Sequence, residues 1–454
     1  MGNSRLPFSS ERLLVSLEAL RPARRYWIAY SGGADSSALL HAIAELRAQL
    51  ATPVRALHVN HGLHPDAAAW QAHCERTCAR LGIELEVVPV QVDAQAGQGV
   101  EAAAREGRYR AAADRLGPDE LLLTGHHADD QGETLFLNLM RGSGVDGLAG
   151  MPALRPLGEG WLARPLLAFG GAALRDFLLA RALDWIEDPS NQDPDYDRNF
   201  LRREILPALE ARWPGVAASL IESADHCREA AGLLAGLADQ WLESALVQPF
   251  LLRLDTDLLA HAARFKLMVR RWLHRARTPP LPSRRLDELL RQARLAGPEH
   301  HVSMAWCGWS LNLFQDHLWL QSEVSMASCP AVDWTGPEPL PLGAGIGTLA
   351  VQPVATRWPD GLRVRAREGG ERITLAGSGQ RKRIKDLLRE AGVPPWLRAS
   401  IPLLCWDDEV VALGDWLIGE RLENWLRQED VKLIWQPLDP ILTYVAATCR
   451  RPAG

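Results

Sequence analysis

The densest group of residues able to do chemistry is Ser31-Gly32-Gly33-Ala34-Asp35-Ser36-Ser37. Two glycines let a backbone turn tightly and approach an anion. A helix opening on this run would aim its unpaired N–H groups and the positive end of its dipole at phosphate. The chain has no GxxxxGK[ST], so the lysine that reaches a γ-phosphate in Walker-type loops is missing. The run therefore suits the pyrophosphate portion of ATP. The plain structural alternative is a tight turn with Asp35 or Ser36 as helix cap.

Two further groups fall where loops should follow strands. His58, Asn60, His61 and His64 cluster in HVNHGLHPD, and Gly125-His126-His127-Ala128-Asp129-Asp130-Gln131-Gly132-Glu133 forms the second group. If a helix begins near Asp129, Asp130 and Glu133 share one face near its positive end. Two carboxylates there suit Mg²⁺ or acceptance of a proton from an amine. The five histidines would otherwise read as a zinc site, but hard oxygen ligands beside phosphate favour Mg²⁺. In GVEAAAREGRYRAAADRL, Glu101, Arg105, Arg108 and Tyr109 lie on adjoining helix faces, where arginine can steady phosphate or be a solvated charge. Arg198, Asn199, Arg202 and Arg203 line a later helical stripe suited to phosphate or carboxylate, with Asp193, Asp195 and Asp197 as rival partners.

These groups need a scaffold, and residues 26–124 supply one. YWIAY at 26–30, VRALHV at 54–59, ELEVVPV at 84–90 and LLLTG at 121–125 recur with helical segments between them. That alternation is the signature of βαβ units and a doubly wound parallel sheet, whose ligands sit beyond the carboxyl ends of the strands. The first intervening helix has Leu39, Leu40, Ile43, Leu46 and Leu50 on one face. From 215 the periodicity turns helical, and 301–321 looks like a small strand pair. Pro330, Pro337, Pro339 and Pro341 then mark a linker. The expected division is a catalytic α/β domain at 1–214, a mainly helical middle domain at 215–328, a linker at 329–342 and a small mixed α/β C-terminal domain at 343–454.

The 454 residues match three domains at roughly 150 each. Hydrophobic residues make up 47 %, which excludes wholesale disorder. No run approaches the roughly 18 apolar residues of a membrane helix. The N-terminal run has no signal-peptide core, and seven scattered cysteines fit reduced thiols, so a cytoplasmic protein off the membrane is expected. The net charge of −6 argues against general binding of nucleic acid. Locally it misleads: residues 361–390 carry nine Arg or Lys against four acids. That stretch, containing Arg381, Lys382, Arg383 and Lys385, is a candidate for backbone contact with nucleic acid, a solvated helix face being its rival.

SGGADSS, HVNHGLHP, EAAAREGRYR, GHHADDQGETLFLNLMRGSGVDGLAGM, RPLL and EDPSNQDPDYDRNFLRREILP occur in order over 26–207. Together they resemble the tRNA(Ile)-lysidine synthase family of the PP-loop ATP-pyrophosphatase superfamily. RKRIKDLLREAGVPPWLRASIPLL at 381–404 resembles that family's C-terminal tRNA-binding segment. The family often has histidine at the place of Asn60 and alanine at Gly132; neither change removes an obvious catalytic group.

The resemblance implies adenylation of the wobble cytidine C2 oxygen in isoleucine tRNA with a CAU anticodon. The ε-amine of free L-lysine then displaces AMP, giving lysidine and shifting codon reading from AUG to AUA. It implies ATP at Ser31, Gly32, Gly33, Ala34, Asp35, Ser36, Ser37, His58, Gly125 and His126, and Mg²⁺ at Asp35 and Asp130. Lysine would meet Asp130, Glu133 and His127. Asp35, Arg105, Asp130, Glu133 and Arg202 would be catalytic, and Arg198, Asn199, Arg203 and the 381–385 cations would contact tRNA. A homodimer is compatible with the chain. The rival readings are a PP-loop tRNA thiolase using Cys74 and Cys78, a small-molecule amidating ligase, and a non-enzymatic RNA-binding module on the same fold.

Overall fold

The computed structural model describes residues 7–62, 64–90, 100–189, 197–297, 301–323, 328–343, 345–375 and 379–450, the side chains of 100–102 excepted. Contacts divide the chain into two units, Met1–Leu233 and Leu234–Gly454.

In the first unit, α1 (Ser10–Glu18), β1 (Arg25–Ala29), α2 (Ala34–Leu46), β2 (Val54–Asn60), α3 (Ala67–Leu81), β3 (Glu84–Pro89), α4 (Val100–Ala113) and β4 (Glu120–Leu123) alternate as expected. Then come α5 (Ala128–Met140), α6 (Val145–Leu148), β5 (Leu154–Leu157), β6 (Gly160–Ala163), α7 (Gly171–Leu179), α8 (Asp197–Phe200), a π-turn over Leu201–Ile205, α9 (Leu206–Arg212) and α10 (Val216–Ala245). The strand order is β3-β2-β1-β4-β6-β5, parallel except for β5. The order reverses between β1 and β4, which puts the natural ligand crevice between the loops that follow those strands. Side-chain alternation builds a core on each face. Tyr26 and Ile28 join α1, α2 and α7 on one side, and Trp27, Leu57 and Leu122 meet Ala111 and Ala112 of α4 on the other. Leu39, Leu40, Ile43 and Leu46 of α2 are wholly buried, and each such side chain stabilises the fold by roughly 2 kcal/mol. That burial holds the start of α2 fixed beside β1.

The second unit begins inside α10. Helices α11 (Thr256–Ala260), α12 (Ala262–Arg275) and α13 (Ser283–Leu295) give the middle its helical character. They share a core with a five-stranded antiparallel sheet built from β7 (Leu246–Gln248), β8 (Leu251–Arg253), β9 (Val302–Trp306), β10 (Trp309–Phe314) and β11 (His317–Ser322). The expected strand pair at 301–321 is therefore three strands of a larger sheet.

The proline-rich stretch is packed: it contributes β12 (Val332–Asp333) and β13 (Leu340–Pro341), with Trp334 and Leu342 buried. Beyond it, β14 (Thr348–Gln352), β15 (Leu362–Arg365), β16 (Arg372–Thr374), β17 (Arg381–Arg383), α14 (Ile384–Glu390), β18 (Leu403–Trp406), β19 (Glu409–Leu413), β20 (Leu417–Ile418), α15 (Glu420–Gln428), β21 (Lys432–Gln436) and α16 (Pro440–Cys449) complete the fold. One core holds Leu251, Phe314 and Trp319 together with Leu403, Leu413 and Trp435, so middle and C-terminal segments pack as one body. Among the described residues no helix is long and apolar enough to cross a membrane.

Candidate active site

Gly33 caps α2 without a side-chain hydrogen bond. The expected alternative, a cap by Asp35 or Ser36, does not form, because both residues lie inside the helix. Ser36 Oγ instead donates to the Gly33 carbonyl at 3.0 Å, and Ser37 Oγ donates to the Gly32 carbonyl at 3.2 Å. The hydroxyls stiffen the loop, while the first-turn N–H groups of Ala34, Asp35 and Ser36 have no protein acceptor among the described residues. Ser31 closes the loop from the strand side, its Oγ 3.1 Å from Ser36 Oγ. Gly32 has φ +86°, and a Cβ there would come within 2.5 Å of Ile186 Cδ1 and 3.1 Å of Cys74 Sγ. Only glycine meets both demands. Gly125, after β4, lies so close that its Cβ would stand 3.1 Å from the Asp35 and Ser36 backbone.

His127 caps α5: its Nδ1 accepts the Asp129 N–H at 3.2 Å, and Asp130 Oδ2 accepts the His127 N–H at 2.9 Å. The same imidazole bridges to the phosphate loop, with Nε2 at 3.6 Å from both Asp35 Oδ2 and Asp130 Oδ2. Burial is the largest single influence on His127 and pushes its pKa down. The acceptor that Asp35 offers to its Nε2–H and the charges of Asp130, Asp35 and Asp129 outweigh it, so His127 stands above the usual histidine value. Burial likewise pushes Asp130 up, but His127, Arg198 and the backbone N–H overcome this and hold it below the usual carboxylate range.

Asp130 and Glu133 share a face of α5 and meet two arginines. Glu133, fully buried, accepts from Arg198 Nε at 2.7 Å and from Arg202 Nε at 2.6 Å. Asp130 Oδ1 accepts from Arg198 Nη2 at 3.2 Å and Arg202 Nη2 at 3.1 Å. The π-turn that interrupts α8–α9 begins between these arginines, widening the turn that presents both to α5. Asn199 is half-buried and Arg203 exposed on the same segment. Of the aspartates weighed as rival partners, Asp193 and Asp195 lie outside the described residues.

For a Mg²⁺ travelling with ATP, one free carboxylate plus phosphate oxygens is a sufficient donor set. Asp35 fits: its side chain is 40 % exposed, and among the described residues it forms no ion pair with an arginine, though its charge reaches Arg202. Asp130 does not fit in this arrangement, because its oxygens already accept two guanidinium N–H bonds and a backbone N–H. Among the described residues no group of three His, Cys, Asp or Glu side chains could hold a metal, which leaves the zinc reading unsupported.

His58 is buried, and its Nδ1 donates to the Tyr30 carbonyl at 3.0 Å, bracing β2 against β1. His126 hydrogen-bonds Thr124 Oγ1 at 2.7 Å, and burial, aided by Arg164, Arg105 and Arg198 against the opposing pull of Asp130, pushes it down to about 3. The direction favours the neutral ring. Cys74 and Cys78 are buried on α3, with pKa values pushed up to about 12 by burial, which is the wrong direction for thiolate chemistry.

In the C-terminal segment the basic stretch splits. Arg363 pairs with Asp333 at 3.5 Å, and Arg365 and Arg367 meet Glu371 at 3.6 and 3.3 Å. Arg372, Arg381, Lys382 and Arg383 stand exposed on the β16–β17 ladder, with Lys385 exposed just after it. Among the described residues none of these five has an acidic partner.

Two arginines beside the crevice, Arg164, whose charge reaches His126, and Arg155, escaped sequence reasoning as site residues. Arg164 is buried at the end of β6, and Arg155 lies on β5 beside Tyr109. The available signal was an arginine embedded in the buried run WLARPLL, since charged side chains are almost never buried without a purpose.

Comparison with known proteins gives three family-model matches: a PP-loop domain over 8–209, a TilS substrate binding domain over 258–319 and a TilS substrate C-terminal domain over 362–435. A tRNA(Ile)-lysidine synthase of Xanthomonas campestris pv. campestris (strain 8004) is 41 % identical over 417 residues, covering 91 % of this chain and 95 % of its own. One from Pseudomonas aeruginosa is 42 % identical over 449 residues, covering 94 % and 96 %. A solved structure, the U34-tRNA thiolase NcsA from Methanococcus maripaludis with its [4Fe-4S] cluster, overlaps 48 % of this chain and 78 % of that one. Its TM-score is 0.41 and its identity 18 %.

Proposed function

The chain belongs to the tRNA(Ile)-lysidine synthase family and is an ATP-dependent, tRNA-modifying ligase with a PP-loop domain, and from that premise we propose its reaction in detail. The acceptor is the wobble cytidine of isoleucine tRNA with a CAU anticodon. Cytosine O2 attacks the α-phosphorus of ATP; the new O–P bond forms as the α–β bridge breaks and pyrophosphate leaves. The ε-amine of free lysine, having given up a proton, then attacks C2, and the C2–O bond breaks to release AMP.

The observation that carries this reading is the pairing of an anion-ready loop with an acidic acceptor wall. N–H groups at the start of α2, without a protein acceptor among the described residues, are free to take phosphate, and His127 bridges from Asp35 of that loop to Asp130 of α5. Gly32 and Gly33 let the backbone approach pyrophosphate, and Gly125 and His126 close the crevice from β4. Asp35 would hold Mg²⁺, which when bound offsets charge on the phosphates. Arg105 would steady the transferring phosphate. Asp130 and Glu133 suit the lysine ammonium, and one of them takes its proton, since an amine of pKa near 10.4 attacks only when neutral. Arg198 and Arg202 occupy those carboxylates here, so entry of lysine requires them to share or yield.

A single unpaired cytidine can be splayed into such a crevice without breaking a base pair. Grip on the rest of the tRNA is assigned to Arg198, Asn199 and Arg203 and to the exposed cations Arg381, Lys382, Arg383 and Lys385. Charge reversal at Arg381 and Arg383 is expected to weaken tRNA binding at least tenfold and flatten its salt dependence. Unchanged filter-binding curves at two salt concentrations would dismiss that role.

The direct test supplies purified protein with ATP, Mg²⁺, labelled lysine and isoleucine tRNA transcripts bearing CAU or GAU anticodons. Incorporation confined to the CAU transcript is expected. Absence of incorporation into either overturns the reading.

A further inference from the structure

Beside the crevice lies a cluster of positive charge of which the proposed reaction uses only Arg105. Arg105 of α4 and Arg155 of β5 hold their guanidinium carbons 5.4 and 4.8 Å from the centre of the Tyr109 ring. Arg164, at the end of β6, is 4 % exposed; one Nη donates to the Pro152 carbonyl at 2.6 Å, and its buried Nε has no partner. Among the described residues none of the three arginines pairs with a carboxylate. Burial alone would push the Tyr109 phenol up, yet Arg105, Arg164 and Arg155 outweigh it and hold the phenol below its usual value. Three cations gathered with no carboxylate partner among the described residues, one of them desolvated, is a costly arrangement that an anion would relieve.

From this we infer that Arg105, Tyr109, Arg155 and Arg164 form a phosphate subsite for the anticodon-loop backbone next to the reacting cytidine, an inference that rests on the reading above. A phosphate group is the matching chemistry, because guanidinium forks pair with phosphate oxygens and a phenol adds a donor. ATP's own phosphates are the other source. They already have the loop between β1 and α2, whereas Arg155 on β5 and Arg164 at the end of β6 lie on the far side of β4 from β1, with α4 bringing Arg105 and Tyr109 to them across one face of the sheet. The position also answers a mechanical need. A base drawn out of an anticodon loop stays in place only if the adjoining backbone is held, and phosphate contacts do that positioning. Arg164 sets the back wall and Tyr109 orients the two outer arginines. Arg155 and Arg105 are the groups open to the ligand.

The test uses the full chain and compares wild type with Arg155→Gln, with Arg105→Gln as a second variant at an exposed position. Binding of the CAU transcript is measured without ATP, and KM for tRNA and for ATP is measured in turnover. Each variant is expected to weaken tRNA binding roughly tenfold and reduce the salt slope by about one, as loss of one phosphate contact does. KM for ATP should stay unchanged in Arg155→Gln. Normal tRNA binding by both variants overturns the inference, as does a KM for ATP that rises in step in Arg155→Gln, which would give the cluster to ATP. Because binding is read without turnover, a wild-type protein that binds tRNA but incorporates no lysine would fail the reaction and leave the subsite measurable.

Discussion

Asp35→Ala is expected to abolish AMP and pyrophosphate formation, with kcat falling at least about 10³-fold, or roughly 4 kcal/mol of transition-state stabilisation. Asp35 is the carboxylate of the phosphate loop, which among the described residues pairs with no arginine, and it faces His127 Nε2 at 3.6 Å. Its loss should not unfold the domain. The side chain is substantially exposed, and a carboxylate in a helix's first turn contributes only about 0.5 kcal/mol. A second readout separates a local role from general damage. Asp35 leads the influences that raise His127, so the His127 pKa should drop in the variant, as followed by its ring-proton NMR titration.

The linkage sign follows from that direction. A histidine raised on folding adds stability that is complete below its unfolded pKa of about 6.5 and is lost as pH rises through the folded value. Wild type should therefore exceed Asp35→Ala by more at pH 6 than at pH 8 in urea titrations. Near-normal turnover of Asp35→Ala would remove this residue from the reaction.

What could be read from the chain was whatever is local and periodic. The strands at 26–30 and 54–59 and the apolar face of α2 follow from short-range patterning, so the loop after β1 was found with its glycines. The proximity of Asp130 and Glu133 followed in the same way from helical spacing. Other features depend on contacts between distant residues. Arg198 and Arg202 could be placed on one stripe, but that they face Glu133, 65 and 69 positions earlier, is a tertiary fact. His127 looked like one of five loop histidines, and only the geometry makes it the cap of α5 and the bridge to Asp35. The prolines at 330–341 suggested a linker because proline is rare within strands. Here Pro341 is itself part of a two-residue strand and the others stand around β12 and β13, whose neighbours Trp334 and Leu342 are drawn into a core by residues far along the chain. The basic count over 361–390 treated all charges alike, whereas Glu371 pairs with Arg365 and Arg367 and leaves the β16–β17 cations exposed.

Glu133→Gln should uncouple the two halves of the reaction: lysine incorporation is expected to fall about 100-fold further than pyrophosphate release, the usual scale for loss of a proton acceptor. Two carboxylates and two guanidinium groups here balance to zero net charge. An incoming ammonium adds one positive charge, so it is held only if Asp130 and Glu133 turn from the arginines toward it. A glutamine at 133 leaves Asp130 as the sole negative group against two arginines and the lysine, and it can accept no proton from the amine. The same substitution also unbalances a buried pair. Because Arg198 and Arg202 are 24 % and 42 % exposed, the cost should sit near the low end of the range, about 3 kcal/mol. Stability and chemistry are separated by adding Arg202→Gln. The double variant restores charge balance and should recover much of the lost stability, and a double-mutant cycle measures how much. It cannot restore an acceptor for the amine, so lysine transfer should stay low. Recovery of lysine incorporation along with stability in the double variant would show that Glu133 serves only to anchor Arg198 and Arg202.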